Sequence, residues 1–121
     1  MQKNYRRGRL GEEIRKIISN MILRGDLKDP DINPLTSITG VEVTSDGSYA
    51  TVYLSILGSE EEKEAGRAAL QRASGYIHNQ LGKAIKIKHV PELRFKTDTA
   101  LEYGMHIEKI IDELHKEPEE Q

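Results

Sequence analysis

Along residues 7–24, apolar side chains return every three or four positions: Leu10, Ile14, Ile17, Ile18, Met21 and Ile22. That spacing predicts an amphipathic helix with one buried stripe, and Gly25 supplies its C-terminal stop. Prolines and aspartates then crowd "DLKDPDINPL", which predicts a loop. Beyond Thr36 the period changes to two. Ile38, Val41 and Val43 lead to Asp46-Gly47, after which Ala50, Val52, Leu54 and Ile56 alternate strictly. The pattern predicts a β-hairpin turned by Asp-Gly, with Tyr49, Thr51, Tyr53 and Ser55 on the other face of its second strand.

Helical signals resume at Ser59-Glu60-Glu61-Glu62, where Ser59 and Glu62 match a capping box. Ala65, Ala68, Ala69, Leu70 and Ala73 form a small apolar side, and Leu70, Ala73, Ile77, Leu81 and Ala84 keep one stripe running through Gly75. Glycine costs a helix interior roughly 1 kcal/mol against alanine. The stretch therefore predicts either one helical track weakened at Gly75 or two short helices meeting there at an angle. After Val90-Pro91, Leu93 and Phe95 alternate with Arg94 and Lys96 as a third strand. Thr99 and Glu102 make a second capping box, and Leu101, Met105, Ile107, Ile110, Ile111 and Leu114 predict a last helix.

Residues 1–116 thus read as one domain without internal repeats, followed by a short acidic tail over 117–121. The order α-β-β-α-break-α-β-α predicts an α+β fold of the KH type (type II), a three-stranded sheet with helices packed on one face. In KH folds the helix-break-helix element clamps single-stranded nucleic acid through a glycine-bearing loop.

Charge changes the picture more than composition does. The net charge of −2 conceals segregation: residues 1–25 carry seven Lys/Arg against two Glu, and 26–64 carry nine acids against two Lys. Residues 72–96 carry six Lys/Arg against Glu92. Two basic segments separated by acidic ones fit an anion-seeking face; they equally fit cations that neutralise the acidic segments. On the helical track Arg72, Tyr76, Asn79, Lys83 and Lys86 fall opposite the apolar stripe, with His78 beside them. Gly75 would admit an RNA backbone, its N–H and the Ser74 hydroxyl offering donors to phosphate, and Tyr76 could stack on a base. The competing reading is a structural kink beside a solvated face. The basic arm "KNYRRGR" could extend the contact or simply solubilise the N-terminus.

Catalytic readings find little support. The chain has no cysteine, so disulfides and cysteine-ligated metal sites are excluded. His78, His89, His106 and His115 lack His-x-x-x-His spacing, and no metal or cofactor is expected. "GYIHNQLGKA" has six residues between its glycines and Ala84 where a phosphate-binding loop needs four and a Ser or Thr. No apolar run approaches the length of a membrane span, and no signal-type core follows the N-terminus, which makes a cytoplasmic protein the expectation.

Three segments together resemble the ribosome-binding factor A family over about residues 5–114: "RGRLGEEIRKIISNMILRGDLKDP", "LTSITGVEVTSDGSYATVYLSILG", and "LQRASGYIHNQLGKAIKIKHVPELRF" with the helix beyond it. The resemblance implies a KH-type domain whose Gly-x-x-Gly loop is replaced by an Ala-x-Gly kink, here Ala73-Ser74-Gly75. It implies a monomeric, non-enzymatic factor that binds the small ribosomal subunit and its 16S RNA late in assembly, alongside other assembly factors, with a role in growth at low temperature. The basic track and the implied kink together make Arg72, Ala73, Ser74, Gly75, Tyr76, His78, Asn79, Lys83, Lys86 and Lys88 the expected RNA-binding residues, extended by Arg6, Arg7 and Arg9. His78 stands where many members of that family carry arginine. A protein–protein adaptor docking through the kinked helix is the alternative.

Overall fold

A computed structural model describes residues 2–98, with side chains from residue 8 onward. Helix α1 runs Gln2–Arg24, strands β1 and β2 span Ser37–Val43 and Tyr49–Ser55, helices α2 and α3 span Glu60–Arg72 and Ser74–Ala84, and β3 spans Glu92–Thr97. The sheet order is β1-β2-β3, β1 antiparallel and β3 parallel to the central β2. The predicted α+β, KH-like architecture is present; the last predicted helix, from Thr99, lies outside the described residues.

Alternation builds the sheet as the sequence predicts. Ala50, Val52 and Leu54 are fully buried, as are Leu93 and Phe95 nearly so, while Tyr49, Thr51, Tyr53 and Ser55 turn to the opposite face. Thr39 is an extra residue between the pairs Ile38–Leu54 and Gly40–Tyr53, a bulge that resets the register of β1. Asp46-Gly47 does turn the hairpin, within a four-residue loop: Thr44 N–H donates to the Tyr49 carbonyl, and Gly47 adopts φ +77°.

Helix α1 lays Ile14, Ile18, Met21 and Ile22 against the sheet. Gly11 permits the approach, because a Cβ there would meet the Val41 carbonyl oxygen at 2.8 Å. The helix is longer than its apolar stripe predicts, since its backbone continues through the basic arm to Gln2. Charged stretches without apolar residues can remain helical where nothing breaks them. Among the described residues no helix is long and apolar enough to cross a membrane.

The capping box at Ser59 forms as predicted, Ser59 accepting from the Glu62 N–H and Glu62 from the Ser59 N–H. At its other end α2 covers the free edge of β3 through Gln71. The Gln71 amide donates to the Leu93 carbonyl at 3.1 Å and accepts the Phe95 N–H at 2.9 Å. Gln71→Leu leaves both backbone groups without this partner at a half-buried site, at a cost of about 1–3 kcal/mol. Thermal unfolding should register a fall of about 4 °C per kcal/mol.

Candidate nucleic-acid interface

The joint between α2 and α3 is Ala73, not Gly75. Ala73 has φ −85° and ψ 1°, a conformation open to any L-residue. Its N–H donates to the Ala69 and Leu70 carbonyls, closing α2, and its carbonyl accepts the Ile77 N–H, opening α3. One residue therefore ends one helix and begins the next. Of the two sequence alternatives, the chain adopts two helices. The stripe continues through Leu70, half-buried Ala73, Ile77 and Leu81, but ends on buried Ile85; Ala84, expected within it, is exposed. Ile85 follows Leu81 by four residues, so the helical period carries the stripe to it, and the chain leaves helical geometry there, with φ −109° and ψ 124°.

Gly75 lies in the first turn of α3 with ordinary helical backbone. A Cβ added to it would meet nothing within 4 Å. Among the described residues no side chain caps this helix, so the amides of its first turn have no side-chain acceptor. Tyr76, 50% exposed, follows, and Asn79 and Lys83 recur on its side at steps of three and four. A flat, partly exposed ring, an amide and an ammonium thus follow one another along a single flank of α3, from its uncapped first turn to its last.

Lys86, expected on the helix, sits beyond its end, in the segment joining α3 to β3. Lys86, Ile87, Lys88 and His89 are all exposed there. The segment is pinned at both ends. Ile85 and Pro91 are buried, and His78 reaches across to it. Because a carbonyl oxygen can only accept, His78 Nε2–H donates to the Val90 carbonyl at 3.0 Å. The half-buried ring thus braces the lysine-bearing loop. Among the described residues, Lys83, Lys86 and Lys88 have no carboxylate partner.

Arg72 is placed differently. Its Nη2 lies 2.8 Å from Asp29 Oδ2 and 3.8 Å from Asp31 Oδ2, across 43 residues of sequence. Hydrogen bonding from the Asp31 N–H, then from Arg72, holds the Asp29 carboxyl below its ordinary range. The aspartate is therefore ionised at neutral pH. Neither aspartate could be linked to Arg72 by local pattern; the only sequence sign was an acidic loop.

The second basic segment also divides between two faces. Arg94 and Lys96 alternate outward from β3, on the side of the sheet away from the helices, and the Arg94 guanidinium stacks over the Tyr49 ring at 3.8 Å. They do not join Lys83. Arg9 is exposed on α1, and the side chains of Arg6 and Arg7 lie outside the described ones. The geometry brings together Ser74, Gly75, Tyr76, Asn79 and Lys83 on one helix, with Lys86 and Lys88 on the adjoining loop.

The family model for ribosome-binding factor A matches residues 6–111. A ribosome-binding factor A of Caldanaerobacter subterraneus subsp. tengcongensis is 49% identical over 113 residues, 93% of this chain and 92% of that protein. A Thermotoga maritima protein solved by solution NMR superposes with a TM-score of 0.69 at 33% identity, covering 79% of this chain and 90% of that one. Thermus thermophilus ribosome binding factor A, fitted into a cryo-EM map of its complex with the 30S subunit, shares the fold. Its TM-score is 0.58 at 24% identity, over 71% of this chain and 88% of that one.

Proposed function

Since this chain belongs to the ribosome-binding factor A family, we propose that it binds the free small ribosomal subunit and assists late maturation of 16S RNA. It does so by binding alone, as a cytoplasmic monomer without catalysis. The first turn of α3 receives the RNA backbone, and Lys83, Lys86 and Lys88 neutralise neighbouring phosphates. The Thermus relative's complex with the 30S subunit supports the partner.

The observation that carries this reading is Gly75. Among the described residues nothing calls for a glycine there: the backbone is helical, the φ is ordinary, and a side chain would have room. What a missing Cβ does offer is access for something outside the chain to the uncapped amides beside it. Three lysines without carboxylate partners among the described residues follow it, Lys83 on the same helix and Lys86 and Lys88 on the adjoining loop.

Phosphate pairing by these lysines makes affinity depend on salt. For three neutralised phosphates, log affinity should fall with log salt at a slope of about −2 to −3. Co-sedimentation with purified free small subunits across a potassium chloride series measures it, and protein-free 16S RNA should compete. A slope near zero, with no competition by the naked RNA, would instead favour docking on a ribosomal protein.

A further inference from the structure

Arg72 ends α2 one residue before the joint, where its guanidinium could reach a phosphate seated on the first turn of α3. It is instead held by Asp29 at 2.8 Å, with Asp31 at 3.8 Å. The two sides of this contact differ in freedom. Asp29 Oδ1 also accepts the Asp31 N–H at 3.0 Å, and the loop is anchored by Leu27 and Ile32, both buried. The Asp29 carboxylate is therefore held in place. The Arg72 side chain is 59% exposed against 24% for Asp29, so the arginine is the partner that can move.

We propose that Asp29 and Asp31 occupy Arg72 in the free protein as an internal stand-in for an RNA phosphate, and that Arg72 exchanges them for phosphate when RNA binds at the joint. The inference rests on the RNA-binding reading of the α3 face and adds a threshold to it. An exposed ion pair is weak enough to exchange, and a guanidinium pairs with phosphate as readily as with carboxylate. An RNA that offers no phosphate to Arg72 leaves the pair closed and meets the charge of the aspartates. One that does offer it gains a third kind of contact beside the amides and the lysines.

Asp29→Asn tests this without dismantling the loop, since the amide oxygen can still accept the Asp31 N–H. At fixed salt the variant should bind free small subunits about two- to fivefold more tightly, the fold-change expected from releasing an exposed pair. Asp31→Asn, whose carboxylate is the more distant, should change affinity in the same direction by less. The deciding comparison is the same substitution made in an Arg72→Gln protein, where the gain should disappear. A gain that persists without Arg72 would mean that the loop acts only through its field, and overturns the exchange. So would a folded Asp29→Asn protein with unchanged or weaker binding, which would make the pair purely structural. Failure of the wild-type protein to bind subunits at all would overturn the RNA-binding reading itself, and the exchange with it.

Discussion

Changing Lys83 and Lys86 together to glutamate is expected to abolish co-sedimentation with free small subunits, weakening binding at least a hundredfold, or about 2.7 kcal/mol. Each substitution removes one phosphate partner and adds a repulsive charge at the same place. Both side chains are exposed, and neither has a carboxylate partner among the described residues, so no internal ion pair is lost. The cost to folding is small but not zero. Lys83 lies in the last turn of α3, where a cation complements the helix dipole and an anion opposes it, by about 0.3–1 kcal/mol. A melting curve slightly below wild type, with binding gone, is the expected pair of results. Replacement by glutamine at both sites should give an intermediate loss, because it removes attraction without adding repulsion. A folded double-glutamate protein that still sediments with subunits would remove these lysines from the interface.

Where the chain's local chemistry decides the structure, the sequence was readable. The alternation of Tyr49 through Ser55 could bury only one face of a strand, and Ser59 with Glu62 could satisfy each other only at a helix start. The α2–α3 joint was harder to place for a physical reason. Glycine is the weakest helix former in "ASGYI", so Gly75 invites the break, yet the chain turns at Ala73 through φ −85° and ψ 1°. That conformation needs no special residue and leaves no mark in the sequence. The Ala73-Ser74-Gly75 kink implied by family resemblance covers the joint without resolving which residue makes it. A similar uncertainty of one or two residues at the far end of α3 put Ala84 in the stripe and Lys86 on the helix. The ion pair of Arg72 was hidden for another reason: the residue lies on a basic track, but its partner comes from 43 residues away. His78, read with the basic face, braces the loop through Val90. Tertiary pairings of this kind have no period to detect.

The placement of the joint at Ala73 gives Gly75 a separable role, and the second large effect follows from it. If glycine serves the fold, alanine should destabilise the protein. The structure points the other way: the site is helical, exposed and open, so Gly75→Ala should stabilise α3 by up to about 1 kcal/mol. For a chain of 121 residues that corresponds to a rise of up to about 4 °C in the unfolding temperature. RNA binding should move in the opposite direction, because the new methyl stands where a sugar–phosphate backbone would approach the amides of the first turn. A loss of at least tenfold is expected for alanine, about 1.4 kcal/mol, and more for Gly75→Leu, which keeps good helix propensity while filling more of the space.

Thermal melting and subunit binding measured together on Gly75→Ala therefore bear most directly on whether the start of α3 is the RNA contact. A protein that melts higher and binds free small subunits at least tenfold more weakly is the predicted result. A protein that binds as tightly as wild type would contradict it, and would leave Gly75 as a helix residue with no part in recognition.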